Sequence, residues 1–159
     1  MKLTGILVQG GVVNHNHRIY SEETLSKMVQ QFKQLKEPML GEFGESQSIV
    51  SLSHVSHKVT DINKVKSRLP RKKKKKFKKN NLYTSWKMTR SKLVAEIEIL
   101  NTPQGNVLKK LIDEKNEFDI APSGIGNVNE SGLVENYTML SANIIPKSNN
   151  RIGISSRAK

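Results

Sequence analysis

The run AEIEILNTPQGNVLKKLI, Ala95–Ile112, changes its period halfway along. Up to Ile99 the residues alternate, with Leu93, Ala95, Ile97 and Ile99 on one side, as in a strand that buries one face. Thr102 and Pro103 then occupy the N-cap and first-turn positions that these residue types favour. Beyond them Val107, Leu108, Leu111 and Ile112 recur at helical spacing. A strand that hands over directly to a capped helix sets the character of the chain, which is mixed α+β.

Working outward, Leu3–Gln9 reads as a first strand, closed by Gly10 and Gly11 and followed by the polar loop NHNHRIY. Ser21 is a good N-cap, and Glu22 and Glu23 fall in the first turn, where the helix dipole favours acids. Leu25, Met28, Val29, Phe32 and Leu35 form that helix's apolar stripe, and Pro38 marks its end. After a glycine-interrupted loop, Val55, His57 and Val59 share one face of a strand, with Ser56, Lys58 and Thr60 on the other. Leu82–Lys87 resumes a strand. Late in the chain NESG (Asn129–Gly132) reads as a turn, and a last strand around Tyr137–Ile145 is stopped by Pro146. Several strands and two helices give a largely antiparallel domain over residues 1–146. Residues 147–159 read as a loosely held tail.

Charge adds little to this assignment. The net charge of +13 has one source: fourteen of the 27 Lys and Arg residues lie between Ile62 and Ala95, where there is no acid. Elsewhere thirteen bases face all fourteen acids. The domain is therefore near neutral and carries a basic insertion, about residues 63–81, centred on Arg71, Lys72, Lys73, Lys74, Lys75, Lys76, Lys78 and Lys79. Without an apolar period, and with like charges so close, this insertion reads as an extended loop. No apolar run approaches the roughly 18 residues needed to span a bilayer. The absence of cysteine excludes disulfides and thiolate zinc sites. His15 and His17 alternate in a polar loop with no third ligand nearby, so neither a metal nor a cofactor is expected.

The stretch FDIAPSGIGNV, Phe118–Val128, holds the residue that bears on chemistry. Ser123 lies between a proline and a glycine, which is ordinary turn composition. A serine acts as a nucleophile only when a neighbouring base takes its proton. His57 is the candidate base, and its simpler reading is a partly buried histidine with a local hydrogen bond.

The order of these motifs is recognisable. VVNHNHRIY before a helix, LGEF after it, VSHKVTDI, AEIEILNTPQGNVLKKLI and a G-x-G-x-V turn together resemble the prohead core proteases of large tailed phages. The likeness runs from about Val12 to Pro146, interrupted by the insertion. It implies a small, mainly antiparallel β-barrel with flanking helices, similar to herpesvirus maturation proteases. It also implies serine proteolysis of scaffold and capsid proteins during head assembly.

The family's catalytic positions depart from its pattern. Its histidine lies in Gly-Glu-Leu-x-His-Pro, which here is Gly41-Glu42-Phe43-Gly44-Glu45-Ser46, so that Glu45 holds the histidine position. Its Gly-Ile-Ser-Ser-Arg-Gly-x-Gly here runs from Asp119 to Gly126. Ala121 and Pro122 stand at the serines, and Ser123 stands at the arginine. Alanine and proline carry no nucleophile, and a carboxylate of ordinary pKa, about 4.3, replaces imidazole poorly at neutral pH. Loss of the arginine removes a positive aid to the oxyanion. Gly153-Ile154-Ser155-Ser156-Arg157 repeats the family's active-site letters, but without the flanking helix and strand that would make them a site.

Three readings follow. In the first, the chain is a catalytically inactive protease-fold component of a phage head, contacting capsid or other head proteins, with no membrane partner. It then belongs in the virion, and in the host cytoplasm during assembly. In the second, it is an active maturation protease rearranged around Ser123 and His57. In the third, it is a nucleic-acid-binding module whose lysines give sequence-independent, salt-sensitive attraction to DNA; an acidic protein surface would suit the same lysines.

Overall fold

The structure is a computed structural model and describes residues 1–14, 16–44, 54–66, 91–147 and 155–157. The chain runs β1 (Lys2–Gln9), α1 (Glu22–Lys33), β2 (Met39–Glu42), β3 (Val55–Lys66), β4 (Ser91–Ile99), α2 (Pro103–Asp113), β5 (Phe118–Val128), β6 (Val134–Pro146) and β7 (Ser155–Arg157). The expected strand around Leu82–Lys87 and the basic run Arg71–Lys79 lie outside the described residues.

β4 and α2 form as their periods require. Leu93, Ala95 and Ile97 are wholly buried and Ile99 almost so, while the residues between them are half-exposed. Thr102 Oγ1 accepts from Gly105 N at 3.0 Å and donates to the Val55 carbonyl at 2.6 Å, so the cap also pins the helix to β3. Ser21 caps α1 by accepting from Thr24 N at 3.2 Å, and Leu25 and Met28 are wholly buried beneath it. That helix ends earlier than Pro38 suggests. Leu35 N turns back to the Phe32 carbonyl at 3.2 Å, a tightened last turn that leaves Leu35 outside the stripe at 47% exposure.

Five strands make an antiparallel sheet in the order β2-β3-β4-β1-β7, and β5 and β6 make a separate hairpin. One apolar cluster joins them, drawing Leu3, Leu25, Met28, Ile62, Ile97, Leu108 and Ile144 from both sheets and both helices. Asn129 closes the predicted turn by accepting from Ser131 N and Leu133 N, each at 3.0 Å.

Two expectations change. Among the described residues no closed barrel is present. β2 ends at Glu42, and its continuation meets β6 only through the Phe43–Ile144 bridge, with Gly44 N donating to the Ile144 carbonyl at 2.8 Å. On the far side β1 and β5 lie near each other without a shared ladder, and Pro122 has no amide to offer one. The tail, in turn, is held where Ser155–Arg157 pairs with Lys2–Thr4 as a short edge strand. Among the described residues no helix is long and apolar enough to cross a membrane.

Gly105 shows how closely α2 meets β3. A Cβ there would lie 2.1 Å from the Leu100 carbonyl oxygen and 2.9 Å from that of Ser56, and both are backbone atoms with little room to yield. Gly105→Ala should therefore destabilise the protein by about 1–3 kcal/mol in urea unfolding. That outcome would stand although alanine gains roughly 1 kcal/mol over glycine in a helix interior. An unchanged or raised midpoint would show that α2 is not seated this way.

Candidate functional site

Three segments that the sequence singled out converge on β6. The first, Gly41–Gly44, runs out of β2 and along β6, where Glu42 N donates to Asn143 Oδ1 at 3.1 Å. The second is His57 on β3. The third is the start of β5, in which Ala121, Pro122 and Ser123 face Asn143, Ala142 and Ser141 in register. Ser141 Oγ, on β6 itself, also donates to Asn143 Oδ1 at 2.7 Å, so this side-chain carbonyl is fixed from its own strand while it ties β2 to β6. Glu45, the residue at the family's histidine position, lies just past the described part of the first segment, and His15 is likewise not described.

Ser123 does not occupy a turn. Phe118–Val128 is one continuous strand paired with β6, and the Pro-Ser-Gly composition is expressed as bulges at Ser123–Gly124 and Ile125–Asn127. The glycines that suggested a turn are needed for close approach instead. A Cβ on Gly124 would come within 2.2 Å of the Thr138 carbonyl oxygen and 2.8 Å of the Tyr137 ring. A cleft of about 270 Å³ opens between β1 and the start of β5, and Asp119, Ile120, Ala121 and Pro122 form one wall of it. Ile6–Gln9, Asn14, Arg18 and Tyr20 line the rest. Thus Ala121 and Pro122, which the motif resemblance aligns with the family's serines, face the cleft, while Ser123 is not among its lining residues.

His57 is fully buried. Its Nε2 lies 2.7 Å from the Ala142 carbonyl and must carry the proton, because a carbonyl only accepts. Nδ1 is then the acceptor for the Ser56 hydroxyl, also at 2.7 Å. Burial pushes the imidazole pKa down to about 4, and the bond to Ala142 opposes that shift only in part. Gly41 makes the arrangement possible, since a Cβ there would sit 2.1 Å from Nε2 and 2.3 Å from the Ala142 oxygen. Ser56 and His57 thus have the spacing of a nucleophile and its base. Both are wholly enclosed, with 0% exposure each.

Ser56 was missed because simple alternation assigns it to the outer face. That face is covered by the start of α2, where Gly105 lies against the Ser56 carbonyl, and in the link just before the helix Leu100 N donates to the same carbonyl at 2.9 Å. The small residues Ser56 and Gly105, brought face to face by a capped helix following β4, were the available signal. The sequence also gave no warning of a buried aromatic pair by the cleft. Tyr20 and Tyr137 meet edge to face at 5.7 Å, and burial raises both phenol pKa values. His54 is exposed, at the start of β3.

The basic insertion joins β3 to β4. Its stem is fastened to α1, where Lys64 Nζ lies 2.8 Å from Glu22 Oε2 and 3.0 Å from Ser26 Oγ.

Comparison with solved structures places the fold. The chain is similar to the bacteriophage T4 capsid assembly protease gp21, with a TM-score of 0.67 and 17% identity over 91% of this chain and 80% of that one. No family model and no curated protein matches the sequence. At that identity the likeness establishes a phage-protease type of fold, in agreement with the resemblance read from the motifs.

The depressed pKa of His57 has a thermodynamic consequence. The unfolded chain takes up this proton near pH 6.5 and the folded chain only near 4, so the stabilisation is complete above about 6.5 and drains away as pH falls towards 4. The full contribution is on the order of 3 kcal/mol. His57→Gln keeps an amide donor and removes the titration. Urea unfolding at about pH 7, 5.5 and 4 should therefore show a shallower decline in the variant than in the native chain. Parallel declines would mean that His57 is not held neutral inside the fold.

Proposed function

We propose that this chain is a phage-head protein that retains a capsid-protease scaffold without its serine chemistry. On this reading the lysine-rich connection between β3 and β4 contacts packaged DNA or an acidic protein surface. The observation that carries the reading is the cleft wall itself, where Ala121 and Pro122 stand in the places of the serines. Acyl transfer needs a hydroxyl or thiol in reach of a base and of oxyanion donors. Neither residue supplies one.

An active site rebuilt from Ser123 and His57 would have to pull the imidazole out of a closed site. Two short hydrogen bonds would break, and the Ala142 carbonyl would lose its donor, at about 1–3 kcal/mol for each buried group left unsatisfied. An imidazole with a pKa near 4 is also a weak general base at neutral pH. For the basic loop, a run of seven lysines and a single arginine gives mainly point-charge attraction that weakens with salt and carries no sequence preference.

Quantitative intact-mass spectrometry of purified mature particles tests the reading. Many uncut copies per particle are expected, together with no loss of scaffold cleavage when Ser123→Ala is introduced. Trace copies or self-cleaved fragments, with scaffold processing that stops in the Ser123→Ala phage, would overturn it in favour of an active protease.

A further inference from the structure

Away from the cleft, a second concavity of about 280 Å³ lies between the C-terminal half of α1 and β6. Met28, Phe32, Leu35, Met39 and Met139 give it an apolar lining, and Gln31 supplies the polar group used below. The methionines form its buried floor, and their flexible, polarisable side chains can repack around varied apolar groups. Leu35, expelled from the helical stripe by the tightened last turn, is 47% exposed at this site. An exposed leucine alone says little.

Two polar observations give the groove a direction. Gln31 Nε2 donates to the Tyr137 carbonyl at 3.3 Å, but its Oε1 is buried without a hydrogen-bond partner. A buried acceptor left unsatisfied is costly and rare, and it fits a donor arriving from outside. The Tyr137 carbonyl also shows which edge of β6 faces α1. Strand alternation brings the backbone groups of Met139 to that same edge. β5 pairs with the other edge of β6, and β2 reaches this one only at the Phe43–Ile144 bridge. A helix, an apolar trough and, between Tyr137 and that bridge, a strand edge without a ladder partner among the described residues match the geometry in which an extended peptide adds as a strand and seats alternate side chains.

Charge narrows the occupant. Lys33 and Lys36 flank the groove-lining Gln34 and Leu35, both are exposed, and neither forms an ion pair among the described residues. Among their neighbours in sequence, Gln34, Leu35, Glu37 and Pro38, Glu37 alone carries the opposite charge.

We infer that the groove between α1 and β6 binds an extended peptide segment of another protein, with aliphatic or methionine side chains at alternate positions and carboxylates flanking them. A peptide amide meets Gln31 Oε1, the apolar side chains enter the trough, and the carboxylates meet Lys33 and Lys36. This inference does not depend on whether the chain is a protease.

The test uses the purified full-length chain and two fluorescein-labelled synthetic peptides. Each has leucines alternating with threonines, one flanked by glutamates and the other by lysines. Fluorescence anisotropy should show the glutamate-flanked peptide binding roughly tenfold or more tightly than the lysine-flanked one. Added salt should narrow the gap. Leu35→Glu, at a position already half-exposed, should abolish binding with the urea midpoint unchanged. Gln31→Met should weaken it while preserving the apolar lining. Amide NMR shifts on adding the peptide should centre on Gln31 and Met139. No binding at the highest soluble peptide concentration, equal affinity for both peptides, binding indifferent to Leu35→Glu, or shifts centred on the β1–β5 cleft would each overturn the inference. So would concentration-dependent self-association lost in Leu35→Glu, which would assign the groove to a second copy of this chain. Because the assay needs no particles and no proteolysis, its failure leaves the head-protein reading standing, and the reverse is equally true.

Discussion

The 2.7 Å bond from His57 Nε2 to the Ala142 carbonyl links strands that the backbone ladders leave apart. β3 belongs to the five-stranded sheet and β6 to the hairpin, and among the described residues the backbone pairing towards β6 from that sheet is reduced to the single Phe43–Ile144 bridge just past β2. The imidazole passes through the point where β2 crosses, and only a glycine at position 41 leaves room for it. Ser56 closes the other nitrogen from behind. With both nitrogens satisfied and no solvent contact, the ring stays neutral and fixed, which is what a structural tie requires and a proton shuttle cannot tolerate. Asn143 makes a parallel tie one residue along, receiving both Glu42 N and the Ser141 hydroxyl. Together they hold β2 and β3 against the stretch of β6 that pairs with the start of β5.

The parts of this fold that were legible in the sequence are those in which one local period meets one local cap. β4, α1 and α2 formed where alternation, helical spacing, Ser21, Thr102 and Pro103 agreed, and such agreement across levels makes a segment unambiguous. Reading failed where a residue's meaning depends on a remote neighbour. Pro-Ser-Gly at 122–124 has turn composition, but pairing with β6 turns it into a bulged strand. Ser56 looks outward-facing until α2 is laid over it. His57 was legible as a histidine on a buried face, but its partner was not, because Ala142 lies 85 residues away. The buried Tyr20–Tyr137 pair is hidden for the same reason. Closure of the barrel was inherited from the resemblance, and its absence follows from the shortness of β2 and from the proline in β5, both of which can be read in the sequence once the strand order is known.

The likeness to a capsid assembly protease and the chemistry at the cleft point in different directions, and the proposed function is the reading that accommodates both. A fold is a scaffold on which sites come and go. In this chain the site's segments are held together by ties, the His57 and Asn143 hydrogen bonds above all. On the proposed reading, the loss is confined to the cleft-lining residues Ala121 and Pro122. The frame is stabilised by the ties and the core, and substitutions at cleft-facing positions can remove a nucleophile without disturbing either.

Pro122 takes this reasoning one step further. A serine-to-alanine change would remove the hydroxyl and nothing else. Proline also removes the backbone amide and fixes φ near −65°. At a residue that lines the cleft and belongs to an edge strand, that takes away a hydrogen-bond donor which an extended chain lying in the cleft could have used. On the proposed reading, the pair Ala121 and Pro122 therefore weakens both halves of a protease site, the attacking group and the means of aligning a substrate strand. Strand recognition would then have to occur at an edge that keeps its amides. β6 presents such an edge towards α1, lined with methionines and with a glutamine oxygen left without a donor. On the two proposals taken together, the working face of this molecule is the groove rather than the cleft.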